Sequence, residues 1–125
     1  MTAVALSLRR LGLEPRMALP ALLVALGYYL AARVGFAFTL QPHPISTLWP
    51  PNALLLAVLL LAPARHWWWL LGAALPAHLF AEVQSGVPLA MVLGWYVSNC
   101  SEALIGAGLV RAWTAIRHTD AAPAP

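Results

Sequence analysis

Residues 45–61 read ISTLWPPNALLLAVLLL, in which two prolines and an asparagine stand directly before an uninterrupted apolar run. This order is typical of a helix that begins at a membrane surface. Pro50 and Pro51 suit the first helical turn, where their missing N–H groups cost nothing. Ser46 or Thr47 is expected to cap the free N–H groups of that turn. The stretch therefore predicts a transmembrane helix together with its first residues.

The composition excludes an ordinary soluble domain. The chain is 62% apolar and 9% charged with mean hydropathy +0.77, whereas a soluble surface needs far more charge. All seven basic residues are arginine, and all except Arg33 lie outside or at the ends of apolar runs, so the net charge of +3 indicates membrane orientation and argues against nucleic-acid binding. Cys100 is expected to be a small core residue. We expect the lipid bilayer as partner, with no cofactor and no metal.

Four apolar segments organise the chain. They comprise residues 17–40, 48–62, 67–84 and 87–113. At about 1.5 Å per residue, all but the second can cross a hydrocarbon core of about 30 Å. The short second segment must end inside the bilayer, thin it, or be shielded by neighbouring helices. The predicted fold class is all-α, an integral membrane helical bundle with about four transmembrane segments.

The distribution of arginine predicts the orientation. With four crossings, six arginines fall on one side and none on the other; they are Arg9, Arg10, Arg16, Arg65, Arg111 and Arg117. That side is expected to be cytoplasmic. Residues 1–16 then form a cytoplasmic N-terminal segment, residues 17–113 the transmembrane domain, and residues 114–125 a disordered cytoplasmic tail.

Small residues recur along two of the segments at helical spacing. The first seam contains Gly27, Ala31 and Gly35; the second contains Gly94, Ser98, Glu102 and Gly106. Such seams let helix backbones approach closely, so we expect contacts with other membrane helices of this chain, of a second copy or of a partner protein. In the third segment Pro76 frees one backbone carbonyl, which predicts a kink.

Ionisable residues inside the apolar runs need partners, because a charge at the bilayer centre costs about 2.5–3.5 kcal/mol. Arg33 either extends to the outer interface or forms an intramembrane ion pair with Glu82 or Glu102. His78 and Glu82 are four residues apart and share a helix face. We expect a mutually hydrogen-bonded structural pair, with a proton site as the alternative. Two ligands do not make a metal site.

A polar cluster lies in the middle of the fourth segment. Its members are Ser98, Asn99, Ser101 and Glu102. Glu102 belongs to the small-residue seam and is therefore expected to be buried and to point at another helix. The cluster either provides hydrogen bonds between helices, or it places Asn99 and Glu102 in a small polar cavity that binds a ligand or a proton.

The WPP motif, the LLGAALPAHLF segment and the SNCSEALIGAGLVR segment together resemble the type-one membrane-associated sensor domain, over most of residues 18–113. The resemblance implies the N-terminal part of a polytopic bacterial module that feeds a cytoplasmic output such as a histidine kinase or a diguanylate cyclase. It assigns the motif to Trp49, Pro50, Pro51 and Asn52. Family members carry further membrane segments and a following output domain, and glycine is common where Ala53 stands.

The same resemblance assigns the polar site of the later helix to Asn99 and Glu102. The WPP motif is expected to anchor the second helix at the interface; if the N-terminus of that helix is recessed instead, its free N–H groups would point toward Glu82 and His78 and form a second ligand site.

Three functions stay open at this point. The chain is a sensory input module, a subunit of a small transporter completed by oligomerisation, or a truncated remnant. An apolar bundle offers neither a substrate cleft nor a phosphate-binding loop, and no kinase or cyclase sequence is present, so we expect no enzymatic activity from this chain.

Overall fold

The computed structural model describes residues 15–40, 45–46 and 48–120. Most of them belong to four helices, which are α1 (Ala18–Ala37), α2 (Pro50–Leu61), α3 (Trp67–Gln84) and α4 (Leu89–Asp120). Short 3-10 turns at Pro15–Met17 and Ala64–His66 precede α1 and α3. Between α1 and α2, strands β1 (Thr39–Leu40) and β2 (Ile45–Ser46) pair in antiparallel fashion. The predicted all-α helical bundle is confirmed.

The arrangement of the bundle follows from which helices contact one another. Helices α2 and α3 each pack against both α1 and α4. The core is rich in alanine, and its largest fully buried side chains include Tyr28, Leu55 and Leu59. Small buried residues of this kind let neighbouring helices approach closely.

The outer surface of the bundle is apolar. On α1 the exposed residues include Leu22, Leu26 and Leu30, while Val24 and Tyr28 face the core. A contiguous apolar surface of this kind is typical of a protein that contacts lipid. Among the described helices, α1 is the one whose length and composition suffice to cross a bilayer.

The glycines of the α1 seam contact α2. A Cβ atom added at Gly35 would lie 2.6 Å from Cε3 of Trp49, and one added at Gly27 would lie 3.6 Å from the Leu54 side chain. In α4, Gly106 faces Leu56 in the same way, but a Cβ at Gly94 would meet nothing within 4 Å. The α1 seam is therefore a contact with α2, whereas only the later part of the α4 seam is.

Two local predictions differ from the structure. The first helix ends at Ala37 and not at residue 40, because β1 pairs with β2. Ser46 does not cap α2; its hydroxyl lies 2.9 Å from the carbonyl of Gly35 and 2.5 Å from that of Leu48, while Thr47 is outside the described residues. Helix α3 contains Pro76 and continues past it to Gln84, and the kink at Pro76 stays a prediction.

The predicted disordered tail also begins too early. Helix α4 continues past residue 113 to Asp120, and residues 121–125 lie outside the described part. The hydroxyls of Thr114 and Thr119 donate to the carbonyls one turn earlier, and the guanidinium of Arg117 lies 5.6 Å from the ring of Trp113. The contact of Arg117 with Trp113 stabilises these turns within the helix.

The contact at Gly35 can be tested with a pair of alanine substitutions. Gly35→Ala should lower the free energy of unfolding by about 1–3 kcal/mol, since the Trp49 ring leaves no room for a methyl group. Gly94→Ala should be neutral or stabilising by up to about 1 kcal/mol, because that position is open and alanine favours helix. Unfolding in detergent, followed by circular dichroism, measures both. Equal effects would contradict the proposed α1–α2 contact.

Candidate functional site

A cavity of about 400 Å³ lies at the end of the bundle that contains the β1–β2 hairpin and the α3–α4 turn. We call this end the hairpin end. Three aromatic side chains line the cavity: Phe36, Trp49 and Trp95. Its polar lining consists of Thr39, Ser46, Glu82, Ser85 and Asn99. Val87 completes the wall. All four helices or their ends contribute, so the cavity exists only in the assembled bundle.

The WPP motif forms one wall of this cavity. Two prolines begin α2 directly after Trp49, whose backbone is non-helical, and this geometry turns the indole toward α1. The ring rests on Gly35 and meets Phe36 edge to face, with 5.4 Å between ring centroids. Pro51 is fully buried. Trp49, Pro50 and Asn52 are partly buried, so the motif packs against the bundle.

A chain of hydrogen bonds links α2 to the polar cluster of α4. The amide of Asn52 donates to the carboxylate of Glu102 over 2.5 Å. The Asn52 carbonyl oxygen lies 3.2 Å from the amide nitrogen of Asn99, which also donates to the carbonyl of Trp95. The oxygen of Asn99 accepts from the indole N–H of Trp49 at 3.3 Å. Asn99 thus connects the cavity wall with both helices.

The chain continues from Asn99 to α1 and α3. The hydroxyl of Tyr28 lies 3.3 Å from the Asn99 amide and 3.0 Å from Nδ1 of His78. His78 Nε2 lies 2.9 Å from the carbonyl of Val92, so this nitrogen carries a proton. In a neutral imidazole Nδ1 then accepts the Tyr28 proton. Because Tyr28 has a single proton to donate, His78 and Asn99 compete for it.

His78 and Glu82 are both buried, with exposed fractions of 1% and 2%, but they have different surroundings. Both ring nitrogens of His78 are engaged by Tyr28 and Val92, so the predicted hydrogen bond between His78 and Glu82 is wrong. One turn further along α3, Glu82 lines the cavity, and His78 does not. The prediction that His78 and Glu82 lie on the same buried helix face is correct. The side-chain partner of His78, however, is Tyr28 of α1 and not Glu82.

The intramembrane ion pair predicted for Arg33 is not formed. Arg33 is exposed on the outer face of α1, next to the exposed Val34, and it makes no ion pair within residues 15–40, 45–46 and 48–120. Its neighbours Ala32 and Gly35 take the buried positions of this turn. This exposed position agrees with the alternative in which the Arg33 side chain extends to the outer interface.

Glu102 points at α2, as the seam predicts, but the residue is exposed and the cavity lining does not include it. Its seam neighbour Gly94 and the exposed Ser98 have no helix opposite them. Of the two residues that were predicted to share a cavity, Asn99 lines it and Glu102 does not. In the described part of the chain, no group of three or more His, Cys, Asp or Glu side chains gathers to hold a metal.

Sequence reasoning missed a second polar site, at the opposite end of α2. Arg111 of α4 donates to the last carbonyls of α2, at Leu59 over 3.0 Å and also at Ala62. The indole N–H of Trp67 donates to the same two carbonyls, at 2.8 and 3.3 Å. The guanidinium lies 4.8 Å from the Trp67 ring centroid. A cation at a helix C-terminus satisfies free carbonyls and complements the helix dipole. The shortness of α2 was the available signal, because its end had to find donors inside the protein.

An apolar helical bundle with a small, partly polar cavity between its helices is typical of a membrane-associated binding module. The MASE1 family model matches residues 20–122, and the chain belongs to this family of membrane-associated sensor domains. The resemblance noted from the sequence is thereby confirmed. No curated protein and no solved structure matches the chain.

Adjacent tyrosines test the hydrogen-bond chain. Tyr28→Phe removes the hydroxyl between His78 and Asn99, leaves a buried ring nitrogen without its donor, and should cost about 1–3 kcal/mol of unfolding free energy. Tyr29→Phe removes only a 3.4 Å exposed contact with Gln84 and should change stability by less than about 0.5 kcal/mol. Thermal unfolding in detergent separates the two. A Tyr28→Phe protein as stable as the Tyr29→Phe protein would argue against the chain.

Proposed function

We propose that this chain is a multi-pass sensory input module of the bacterial plasma membrane, which reports the state of its cavity to a cytoplasmic signalling output. The family assignment supports a sensory role. The observation that carries the proposal is the position of α2: Trp49, which directly precedes the helix, lines the cavity, and the last carbonyls of the helix accept hydrogen bonds from Arg111 of α4. The helix thus joins the ligand end to the opposite end of the bundle.

The lengths of three of the four helices match the thickness of a bilayer. The 20 residues of α1, the 18 of α3 and the first part of α4 each reach about 27–30 Å, which matches a hydrocarbon core of about 30 Å. The 12 residues of α2 reach only about 18 Å. Short helices are tolerated in a membrane where protein groups satisfy their ends, and Trp67 and Arg111 do so for α2.

The arginines support cytoplasmic termini. Arg16, Arg65, Arg111 and Arg117 belong to the end of the bundle opposite the hairpin end, and the positive-inside rule assigns that end to the cytoplasm. The 32 residues of α4 extend for about 48 Å, longer than the hydrocarbon core by about 18 Å. The last turns of α4 would therefore leave the membrane on the cytoplasmic side, where they can pass a movement to an output such as a kinase or cyclase.

Signal transfer requires two packing states with different affinities for the ligand. Helices α2 and α4 are tied at two points, through Asn52 with Glu102 and through Arg111 with the end of α2. Along α4 these points are about 13 Å apart. A ligand that contacts Trp49 acts directly on the first residues of α2, and any shift of α2 is felt at Arg111. The proposal assigns no catalytic step to this chain and no partner beyond lipid, other membrane helices and the output.

The topology is tested with fused reporters. A cytoplasmic reporter should be active after Arg16 and after Arg117, whereas a periplasmic reporter should be active at Ser85, since arginine-rich ends stay in the cytoplasm. Matched fusions of the opposite reporter at the same positions serve as controls. A periplasmic reporter that is active after Arg117 would mean that α2 does not cross, and the four-crossing arrangement would be wrong.

The role of Arg111 is tested with the full chain fused after Asp120 to a histidine kinase or diguanylate cyclase. Arg111→Gln frees the C-terminal carbonyls of α2 and should change the basal output at least about threefold, the effect of a coupling energy near 0.6 kcal/mol. Arg117→Gln, which removes a charge from the same helix without touching α2, is the control. Equal outputs from both variants would contradict coupling through α2. Proton flux through vesicles that Glu102→Gln abolishes would instead support the transporter alternative.

A further inference from the structure

We infer that the cavity at the hairpin end binds a small organic cation, such as an alkylammonium, through a carboxylate and aromatic rings. The signalling consequence of binding rests on the proposed function; the binding itself does not. Three properties of the cavity carry the inference: its rings, its charge and its size.

The rings provide surfaces that attract cations. Phe36 and Trp49 meet at an angle of 62°, so they form a corner and not a flat wall, and Trp95 of α4 lines the same cavity. The face of an indole attracts a cation within about 6 Å of the ring centroid, and desolvation strengthens this attraction. Rings from α1, α2 and α4 around one space form the kind of site that holds a quaternary ammonium group.

The cavity lining contains one carboxyl group, that of Glu82. Glu82 is 2% exposed and lines the space, whereas the lining contains no basic side chain. The chain contains no lysine, Arg33 is exposed on the outer face of α1, and Arg65, Arg111 and Arg117 belong to the opposite end. A buried carboxylate is stabilised by a cation at close range. Among the described residues the cavity lining provides no cation, so a positively charged ligand is the complement of the ionised carboxylate.

The size fits a small molecule. A volume of about 400 Å³ lies within the usual range for ligand sites, about 300–1,000 Å³. The hydroxyls of Thr39, Ser46 and Ser85 offer acceptors for the N–H or O–H groups of a ligand. One carboxylate among apolar rings suits an organic cation and not a metal ion, which requires several ligands. The ionised form of Glu82 would repel an anionic ligand.

Binding at this place would act on the polar chain. Trp49 and Asn99 both line the cavity, and the indole N–H of Trp49 donates to the oxygen of Asn99. A cation held between Glu82 of α3 and the Trp49 ring draws the start of α2 toward α3. Trp49 would then shift against both Gly35 and Asn99. These two contacts join the start of α2 to α1 and to α4.

The test measures binding to the purified full chain in detergent by calorimetry. The probes are choline, tetramethylammonium and phenethylammonium, and the neutral control is the tert-butyl isostere of choline, in which carbon replaces the nitrogen. At least one cation should bind saturably, with choline bound at least about tenfold more tightly than its isostere if choline fits. Failure of all three cations to bind the folded protein, or equal affinity for a cation and its neutral isostere, would overturn the inference.

Variants assign the site. Glu82→Gln should weaken cation binding at least about tenfold, while Glu102→Gln, which alters the other intramembrane carboxylate outside the cavity, should leave it unchanged. Trp95→Leu should weaken binding and Trp95→Phe should retain most of it, because phenylalanine keeps an aromatic face. Helical content and gel filtration identify variants that fail to fold. Should Glu82→Gln misfold, the Trp95 pair decides; folded variants that all bind like the wild type would overturn the site.

The binding measurement and the fusion measurement fail separately. If a cation binds and the variants behave as expected but the fused output ignores Arg111→Gln and the cation alike, the inference stands and the proposed function fails. If Arg111→Gln changes the output but no cation binds, the sensory function stands and the ligand class is wrong.

Discussion

A short helix within a bundle of longer ones leaves two sets of unpaired backbone groups below the surface of the protein, and the arrangement of this molecule depends on how α2 meets that constraint. Its 12 residues begin with two prolines, which remove N–H groups from the first turn. Its last carbonyls accept hydrogen bonds from Arg111 and Trp67. Without these partners the ends would lie in an apolar medium at a cost of several kcal/mol per group. Both ends of α2 therefore fix the positions of the neighbouring helices.

At the hairpin end, the same constraint creates the cavity. The indole of Trp49 stands beside the first turn of α2 and rests against Gly35, because a residue with a side chain there would push it away. The ring holds α1 and α2 at a fixed distance, and α4 approaches from the other side with Trp95. Glu82 closes the space from α3. A feature that stabilises the bundle thus also leaves room for a ligand.

The polar residues between the helices form one connected set. Glu102, Asn52, Asn99, Tyr28 and His78 link all four helices through side chains only. Hydrogen bonds in low dielectric surroundings are strong, and an unpaired group there is costly, so such a set specifies one packing of the helices. The competition of His78 and Asn99 for the Tyr28 proton allows two hydrogen-bond patterns within that packing.

Several features of this protein follow from the sequence alone. The apolar runs, the arginine distribution and the WPP motif predict four helices, their order and the family, because each depends on local composition or on a short pattern. The buried face shared by His78 and Glu82 follows from helical spacing in the same way. Partners do not. Spacing along α3 could not reveal that Tyr28 binds His78, that Glu82 faces a cavity, or that Arg111 caps α2, since these contacts join residues 14 to 52 positions apart through helix packing. The composition of residues 114–120 also did not predict that they are helical, with Arg117 lying against Trp113. Local chemistry determined the elements; the distances between helices, set by small residues and by the ends of α2, decided what each polar group touches.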